Sequence, residues 1–365
     1  MKTVNEISNF ARPEMTKFKG YSACKSPDVI AQKLGIPVEN IIKLDANENN
    51  YGPSPKVSIA LGKFDHCHIY PDAAQTELRR SLSAYTCMPP EQIVGGAGSD
   101  QIIDLLIKLF AGPEDEIINM GPSFAMYRFY ADLNGATIVE VPRDAEFKID
   151  IPAIKKAIND KTRLIFLANP NNPTGTMTSQ DEIRILASTG VPLVVDEAYY
   201  EFTGESALPL MSEFANIMVL RTFSKWCGLA GLRVGYGVFP LCIANYLNGI
   251  RDPYNVNMAA LEAVRVSFQD MDYLMENVQK IVEAREKLFA QFSKISWLKP
   301  YPSKSNFILC DVLKGNAREL QQMLEDKGIL VRYYADARLK NCIRFSVGRP
   351  EENDSLLAAL KEIGG

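Results

Sequence analysis

The chain has 365 residues, of which 47% are hydrophobic and 23% are charged. These proportions are ordinary for a globular protein, and the length suits one large α/β domain with a second, smaller domain. Because the net charge is −4, we expect neither nucleic acid nor an anionic membrane as a partner. The N-terminus lacks the apolar core of a signal peptide, and no apolar run approaches the roughly 18 residues of a membrane-spanning segment.

Cysteine and histidine are distributed in a way that argues against disulfides and metal binding. The seven cysteines are scattered, odd in number and without C-x-x-C spacing, which predicts reduced thiols in a cytoplasmic protein. The two histidines are His66 and His68, and alternating positions in an extended segment point to opposite faces. We therefore predict neither a metal site nor a Ser-His-Asp triad.

Helical patterns alternate with short apolar runs along most of the chain. In chain order, the predicted strands are residues 93–95, 116–119, 137–140, 164–167, 193–196, 218–221 and 234–237. Amphipathic segments such as 100–110 and 179–187 lie between several of them. The alternation predicts an α/β fold with a mainly parallel central sheet sandwiched by helices.

The C-terminal part of the chain predicts a second, smaller α/β domain. A long helix is followed by an apolar segment, a helix, a strand and a last helix, at residues 271–292, 306–310, 317–327, 343–346 and 352–362. We divide the chain into an N-terminal arm with part of the small domain (1–45), a large domain (46–260) and a small C-terminal domain (261–365).

A glycine-rich motif follows the first strand of the large domain, at the kind of position where open α/β sheets bind ligands. The segment from Gly95 to Asp100 ends a strand and opens a helix, so the backbone N–H groups of Gly98, Ser99 and Asp100 are placed to cradle a phosphate. A strand-to-helix turn with Ser99 as its N-cap residue explains the motif equally well.

Three further motifs follow later strands. The loop from Asn169 to Gly175 contains two X-Pro steps that hold an amide on a rigid path, and a plain turn is the alternative. Asp196 ends a buried strand, where a carboxylate is costly unless it meets a cation or several donors. Lys225 lies among small hydroxyls and glycines, with Arg233 downstream, as a Schiff-base lysine for pyridoxal phosphate requires. A surface lysine in a glycine-rich loop is the alternative.

Together these motifs resemble those of the fold-type I aminotransferases. They are Gly98-Ser99, Asn172-Pro173-Thr174-Gly175, Asp196 with Tyr199, Ser224-Lys225, and Arg233. Within that class, four further segments are similar to the histidinol-phosphate aminotransferases: Leu44 to Pro55, Tyr70 to Asp72, Pro122 to Tyr127, and Ile343 to Gly348. The resemblance runs essentially from end to end of the chain.

The resemblance implies that pyridoxal 5'-phosphate is the cofactor and assigns roles around its ring. Lys225 would bind it covalently and then move a proton as general base and acid. Asp196 would keep the pyridine nitrogen protonated, and Asn172 and Tyr199 would hydrogen-bond the phenolic oxygen. Phe124 occupies the position of an aromatic residue that stacks on the ring, although a core phenylalanine is the alternative.

The resemblance also implies a phosphate site shared by two chains. Groups of Gly98, Ser99, Thr222, Ser224 and Arg233 would hold the cofactor phosphate. Tyr70 would reach in from the partner subunit, so a homodimer is expected. The backbone of Asp100 belongs to the same set, but its carboxylate would repel the phosphate, so we expect that side chain to face away.

Substrate binding would depend chiefly on Arg344, because a planar guanidinium binds a carboxylate or a phosphate bidentately. A surface ion pair is the alternative for this residue. Tyr51 and Asn47 would line the substrate entrance, and Tyr21, in the N-terminal arm, would close over it.

The implied reaction is the ping-pong transamination that links L-histidinol phosphate and 2-oxoglutarate with imidazole-acetol phosphate and L-glutamate in histidine biosynthesis. An aromatic-amino-acid aminotransferase and a threonine-phosphate decarboxylase are the alternatives on the same fold. A regulatory protein without turnover is a third, but regulators of this kind carry a DNA-binding domain, and no basic helix-turn-helix precedes the α/β domain.

Overall fold

The computed structural model describes residues 7–16, 18, 20–21 and 24–364. Its strands are β1 (Ile42–Leu44), β2 (Ile93–Gly96), β3 (Glu116–Asn119), β4 (Thr137–Glu140), β5 (Thr162–Ala168), β6 (Leu193–Asp196), β7 (Ile217–Thr222), β8 (Gly235–Val238), β9 (Leu298–Pro300), β10 (Phe307–Val312), β11 (Ile329–Tyr333) and β12 (Cys342–Ser346). They form two sheets flanked by helices, so the predicted α/β class is confirmed.

The α-helices are α1 (Pro13–Thr16), α2 (Pro27–Leu34), α3 (Pro55–Gly62), α4 (Thr76–Thr86), α5 (Ser99–Phe110), α6 (Met126–Asn134), α7 (Ile151–Ala157), α8 (Gln180–Ala187), α9 (Leu241–Ile250), α10 (Met258–Phe268), α11 (Met271–Phe292), α12 (Ala317–Asp326) and α13 (Pro350–Gly364). Local sequence explains several of their ends. A capping box joins Ser179 and Glu182 at the start of α8, and Asn316 caps α12 through its side chain.

The larger sheet has seven strands in the order β2-β8-β7-β6-β5-β3-β4. Its strands are parallel except β8, which runs antiparallel to both of its neighbours, β7 and β2. The residues from Leu164 to Ala168 in β5 are all buried, as expected for a parallel strand covered by helices on both faces. The predicted parallel sheet is therefore correct in class, with one reversed strand.

The smaller sheet has five strands in the order β1-β11-β12-β10-β9. The first of these, β1, comes from the N-terminal part of the chain and pairs in parallel with β11, while the remaining pairs are antiparallel. Sequence patterns did not identify β1, β9 or β11 as strands. The strands β1 and β9 have three residues each, too few to show an apolar period, and β11 is a short apolar run that ends in the partly buried Arg332 and Tyr333.

One edge of the larger sheet collects the functional loops. The carboxyl ends of β2, β3, β5, β6 and β7 lie along this edge because these strands are parallel. The reversed strand β8 begins there instead, with Gly235 paired to Thr222 of β7 and to Gly96 of β2. The residue two positions earlier, Arg233, is thereby brought back beside the loops that end the parallel strands.

Candidate active site

The carboxyl edge of the larger sheet opens into a cavity of about 980 Å³. Side chains from the smaller sheet and from the N-terminal segment complete its walls. Most of the residues predicted for the site line it: Tyr21, Asn47, Ser99, Asp100, Phe124, Asn172, Asp196, Tyr199, Thr222, Ser224, Lys225, Arg233 and Arg344.

Lys225 follows β7 and points its amine into this cavity. Its Nζ donates a hydrogen bond of 3.1 Å to the backbone oxygen of Ala46. Desolvation, together with the positive charge of Arg344, lowers the pKa of Lys225 to about 8. A substantial fraction of the amine is therefore neutral near physiological pH, which is the form that attacks a carbonyl carbon.

Asp196 lies at the mouth of β6 and is only 4% exposed. Its carboxylate accepts hydrogen bonds from the Tyr127 hydroxyl at 2.7 Å and from the Ala198 backbone N–H at 3.1 Å. Burial raises the pKa of Asp196 to about 6, although the Tyr127 hydrogen bond opposes this shift. No lysine or arginine pairs with this carboxylate in the described part of the chain, so a cationic ring nitrogen would meet an unsatisfied charge.

Asn172 and Tyr199 are linked to the smaller sheet through a set of buried polar side chains. The Asn47 amide donates to the Tyr199 hydroxyl at 2.9 Å, and Ser346 of β12 donates to the Asn47 side-chain oxygen at 3.0 Å. Arg344, also in β12, donates to the side-chain oxygen of Asn172 at 2.7 Å. Asn47 is buried in this network, where it orients Tyr199 as well as lining the cavity.

The glycine-rich turn before α5 forms a compact cradle. A Cβ atom on Gly98 would lie 2.7 Å from Nη2 of Arg233, and one on Gly235 would lie 2.6 Å from the backbone nitrogen of Ser99. The backbone contact excludes a side chain at Gly235, and the positive φ of 77° disfavours one at Gly98. The first N–H groups of a 12-residue helix begin directly after Gly98, beside the guanidinium. Thr222 and Ser224 add hydroxyls, with Thr222 Oγ1 donating to Ser224 Oγ at 3.0 Å.

The structure contradicts the expectation that the carboxylate of Asp100 faces away from this cradle. Its Oδ2 accepts a hydrogen bond of 2.9 Å from Nη2 of Arg233, and the residue lines the cavity. The expectation considered only repulsion between the carboxylate and a phosphate. It ignored the attraction to a guanidinium that stands at the positive end of a helix.

Phe124 lines the cavity and is backed by a fully buried tyrosine, Tyr127. The Phe124 ring is half-buried and meets Tyr127 edge-on with centroids 5.6 Å apart, and Tyr127 stacks on Phe166 at 4.5 Å. Phe124 thus has a partner on its inner side and the cavity on the other. This arrangement suits an aromatic ring that stacks on a planar ligand.

Three predicted site residues lie outside the cavity lining: Gly98, which precedes the lining residue Ser99, and the tyrosines Tyr51 and Tyr70. The ring of Tyr51 lies near Lys280 and Arg349, with Nζ and Cζ at 5.9 Å and 6.0 Å from its centroid. Tyr70 is 77% exposed and stacks on Tyr254, with ring centroids 4.6 Å apart.

Sequence reasoning missed several residues that shape the cavity. Tyr127, fully buried behind the lining, holds Asp196, and its place three residues after Phe124 was a usable signal. Arg332 and Tyr334, at the end of β11, also line the cavity, and the Arg332 guanidinium lies 5.9 Å from the Tyr21 ring. Arg332 and Tyr334 were not predicted as site residues because β11 was not recognised as a strand.

The donors and acceptors in this cavity fit pyridoxal phosphate, judged from the residues themselves. A partly neutral lysine, a buried carboxylate without a cation and a side-chain-free cradle beside an arginine match its aldehyde, ring nitrogen and phosphate. The fold and the site together define the class as a pyridoxal-phosphate-dependent enzyme.

Comparison with known proteins specifies the family. The family model described as aminotransferase class I and II matches residues 39–360, and the chain belongs to this family. It is 55% identical to a histidinol-phosphate aminotransferase of Dehalococcoides mccartyi, with 98% of this chain and 99% of the relative covered. It is 44% identical to the protein of the same name from Roseiflexus castenholzii, over 98% and 99% of the two chains.

A solved structure supports the same assignment. The histidinol-phosphate aminotransferase of Sinorhizobium meliloti, in complex with pyridoxal-5'-phosphate, superposes with a TM-score of 0.87 at 27% identity, covering 97% of each chain. The chain is therefore a pyridoxal-phosphate-dependent transaminase with the fold-type I architecture.

Residues 7–16, 18, 20–21 and 24–364 contain no group of three or more His, Cys, Asp or Glu side chains arranged to hold a metal ion. Within the same ranges, every helix is too short or too polar to cross a membrane.

Proposed function

We propose that this transaminase interconverts L-histidinol phosphate and imidazole-acetol phosphate, with L-glutamate and 2-oxoglutarate as the other pair, in histidine biosynthesis. The observation that carries the substrate assignment is 55% identity over 98% of the chain to a protein of that name. The site supports the amine transfer itself, because lysine, carboxylate and phosphate cradle face one cavity.

In this proposal Lys225 is both the covalent anchor and the proton carrier. When bound, pyridoxal phosphate supplies an electron sink for the pair of electrons left when a bond at the substrate Cα breaks. The lowered pKa of Lys225 lets the amine accept the Cα proton as a base and return it as an acid near neutral pH. Among the described residues, the amine hydrogen-bonds a backbone oxygen and no carboxylate, so none of them holds it in the charged form through a direct bond.

Asp196, Tyr127, Tyr199 and Asn172 would orient and tune the cofactor ring. The ionised Asp196 would hold a proton on the ring nitrogen, and Tyr127 would keep the carboxylate ionised by donating to it. Tyr199 and Asn172 line the same cavity and would hydrogen-bond the phenolic oxygen. The phosphate would be held by the backbone of Gly98, Ser99 and Asp100 and by Thr222, Ser224 and Arg233.

Arg344 would bind the anionic group of each substrate. Two of its nitrogens are engaged by Asn172 and by the Asp45 backbone oxygen, and its buried Nε lacks a hydrogen-bond partner among the described residues. A buried guanidinium with an unused donor favours an incoming carboxylate or phosphate. Tyr21 of the N-terminal arm, half-exposed at the cavity, would cover the substrate.

Half-reactions followed by the visible absorbance of the bound cofactor test the substrate assignment. Glutamate should bleach the absorbance, and imidazole-acetol phosphate should restore it faster than phenylpyruvate does. A faster return with phenylpyruvate would contradict the histidine-pathway substrate and favour an aromatic-amino-acid aminotransferase. Release of carbon dioxide from threonine phosphate would favour the decarboxylase.

We propose further that the active form is a homodimer in which Tyr70 completes the phosphate site of the partner subunit. Tyr70 is exposed, outside its own cavity and stacked on Tyr254, an arrangement that presents its hydroxyl to another molecule. Mixing inactive Lys225→Ala with weakly active Tyr70→Ala chains tests this arrangement. Hybrid dimers should regain activity at one site, and mixtures no more active than the sum of their parts would contradict shared sites.

The domain division given above is retained as a proposal, with residues 1–45 contributing to the small domain, 46–260 forming the large domain and 261–365 the rest of the small one. It is supported by the pairing of β1 with β11, which places an N-terminal strand in the smaller sheet.

We place the protein in the cytoplasm, since its cysteines are all unpaired. Retention of the enzyme in the cytosolic fraction of its own cells tests that placement.

A further inference from the structure

We propose that Asp100 is a positioning residue that fixes the guanidinium of Arg233 over the N-terminus of helix α5, so that the site for the cofactor phosphate is formed in advance. The inference rests on the proposed phosphate site. It assigns to the Asp100 side chain a function separate from that of its backbone N–H group.

Positive charge is crowded at the N-terminus of α5. Nη2 of Arg233 lies so near the backbone of Gly98 that a Cβ atom there would come within 2.7 Å of it. The N-terminus of α5, with its unpaired N–H groups, starts at the next residue. A guanidinium and the positive end of a helix dipole repel each other, so this geometry needs an anion to hold it.

The carboxylate of Asp100 supplies this anion from within the chain. Its Oδ2 accepts from Nη2 of Arg233 at 2.9 Å, while Nη1 of the same guanidinium donates to the backbone oxygen of Ala230 at 3.2 Å. The Arg233 side chain is 48% exposed, so without these two contacts it is free to turn toward solvent. The backbone of Arg233 also adopts a positive φ of 54°, which directs its side chain back across the turn.

Whether Asp100 strengthens or weakens phosphate binding depends on Arg233. Asp100 has two opposing influences on a phosphate: it repels the dianion directly, and it holds the arginine that attracts it. The positioning influence requires Arg233, whereas the repulsion does not. Removing the carboxylate should therefore weaken phosphate binding when Arg233 is present and strengthen it when Arg233 is absent.

A double-mutant cycle on the cofactor-free enzyme measures this reversal. The dissociation constant for pyridoxal phosphate is determined by fluorescence quenching for the parent, Asp100→Asn, Arg233→Ala and the double variant. Asp100→Asn should raise the constant about tenfold in the parent background, and it should lower the constant in the Arg233→Ala background. An unchanged or lower constant for Asp100→Asn in the parent background would overturn the proposal.

Two controls separate positioning from general damage. Asp104→Asn removes a carboxylate one turn further along the same helix, where it pairs with Lys108, and should leave the constant unchanged. Pyridoxal, which has no phosphate, should bind the parent and Asp100→Asn equally, whereas equal weakening of both ligands would overturn the proposal in favour of a structural defect. An Arg233→Ala variant that binds pyridoxal phosphate as tightly as the parent would instead refute the proposed phosphate site itself.

Discussion

The guanidinium of Arg344 donates a hydrogen bond of 2.7 Å to the side-chain oxygen of Asn172. Arg344 belongs to β12 of the smaller sheet, and Asn172 belongs to the loop after β5 of the larger one, so this bond joins the two sheets inside the cavity. A second bond from Nη2 to the Asp45 backbone oxygen, at 2.6 Å, fixes the plane of the guanidinium. The arginine that we propose to bind the substrate is thereby oriented by the loop proposed to bind the cofactor.

Replacing Arg344 with lysine should impair both substrates of the reaction. A point charge cannot reproduce a bidentate contact or keep the bond to Asn172, so kcat/KM for glutamate and for histidinol phosphate should each fall by roughly a hundredfold. Steady-state kinetics with each substrate measures this. Arg349→Lys, outside the cavity, is the matched control and should change little. A fall in kcat/KM for only one of the two substrates would show that Arg344 does not bind the anionic groups of both.

Replacing Tyr127 with phenylalanine should alter how Asp196 responds to pH. The hydroxyl stabilises the ionised carboxylate, so its loss should raise the pKa of Asp196 above its value of about 6. Since the ionised form holds the ring nitrogen, cofactor affinity should begin to fall at a higher pH as the solution is acidified. Titrating cofactor binding between pH 5 and pH 8 measures the midpoint, and a midpoint equal to the parent's would contradict the role given to Tyr127.

The rate at which the cofactor attaches to Lys225 should depend on pH with a midpoint near neutrality. Only the neutral amine attacks the aldehyde, and the folded protein lowers the pKa of this lysine to about 8. The attachment rate should therefore rise as pH increases through about 8 and then become constant. Stopped-flow absorbance at a series of pH values records this, and a midpoint near the ordinary lysine value of 10.5 would mean that the cavity does not desolvate the amine.

A buried ion pair behind the cavity should contribute strongly to stability. The side chains of Arg221 and Glu197 are 3% and 1% exposed, and Nη2 of the arginine lies 2.9 Å from Oε2 of the glutamate. Arg221 is the residue before Thr222, and Glu197 is the residue after Asp196. Arg221→Met leaves a buried carboxylate without its cation, which should cost about 3–5 kcal/mol in the free energy of unfolding. Urea denaturation measures the loss.

The control for that experiment is Arg184→Met, which removes a surface arginine paired with Glu213 and Asp181. Exposed pairs contribute at most about 1 kcal/mol, so this variant should be nearly as stable as the parent. Equal losses for the two variants would show that burial of the Arg221 pair adds nothing.

The residues at the ends of the parallel strands were predictable because their motifs follow buried apolar runs. Asp196 ends such a run and Lys225 follows another by three residues, and the fold brings strand ends to one edge. Contacts between distant segments were not predictable in the same way. The bond between Arg344 and Asn172 depends on the small sheet turning toward the large one, and no local pattern records that.

The side chain of Asp100 shows a second limit of sequence reasoning. A charge next to an expected phosphate suggests repulsion, and the location of its actual partner, Arg233, depends on the reversed direction of β8. Tyr51 illustrates the converse case, because its motif resembles a substrate loop while its ring packs beside Lys280 and Arg349. Local motifs identify the residues of a site better than they identify the direction of each side chain.

The most direct test of the account is to identify the lysine that binds the cofactor. Borohydride reduction of the loaded enzyme makes the bond permanent, and mass spectrometry of its peptides then locates the added mass. The account predicts that the label lies on Lys225 and is absent from Lys25 and Lys43, which also line the cavity and are paired with carboxylates. A label on Lys43, or on any lysine other than Lys225, would contradict the assignment of the active site.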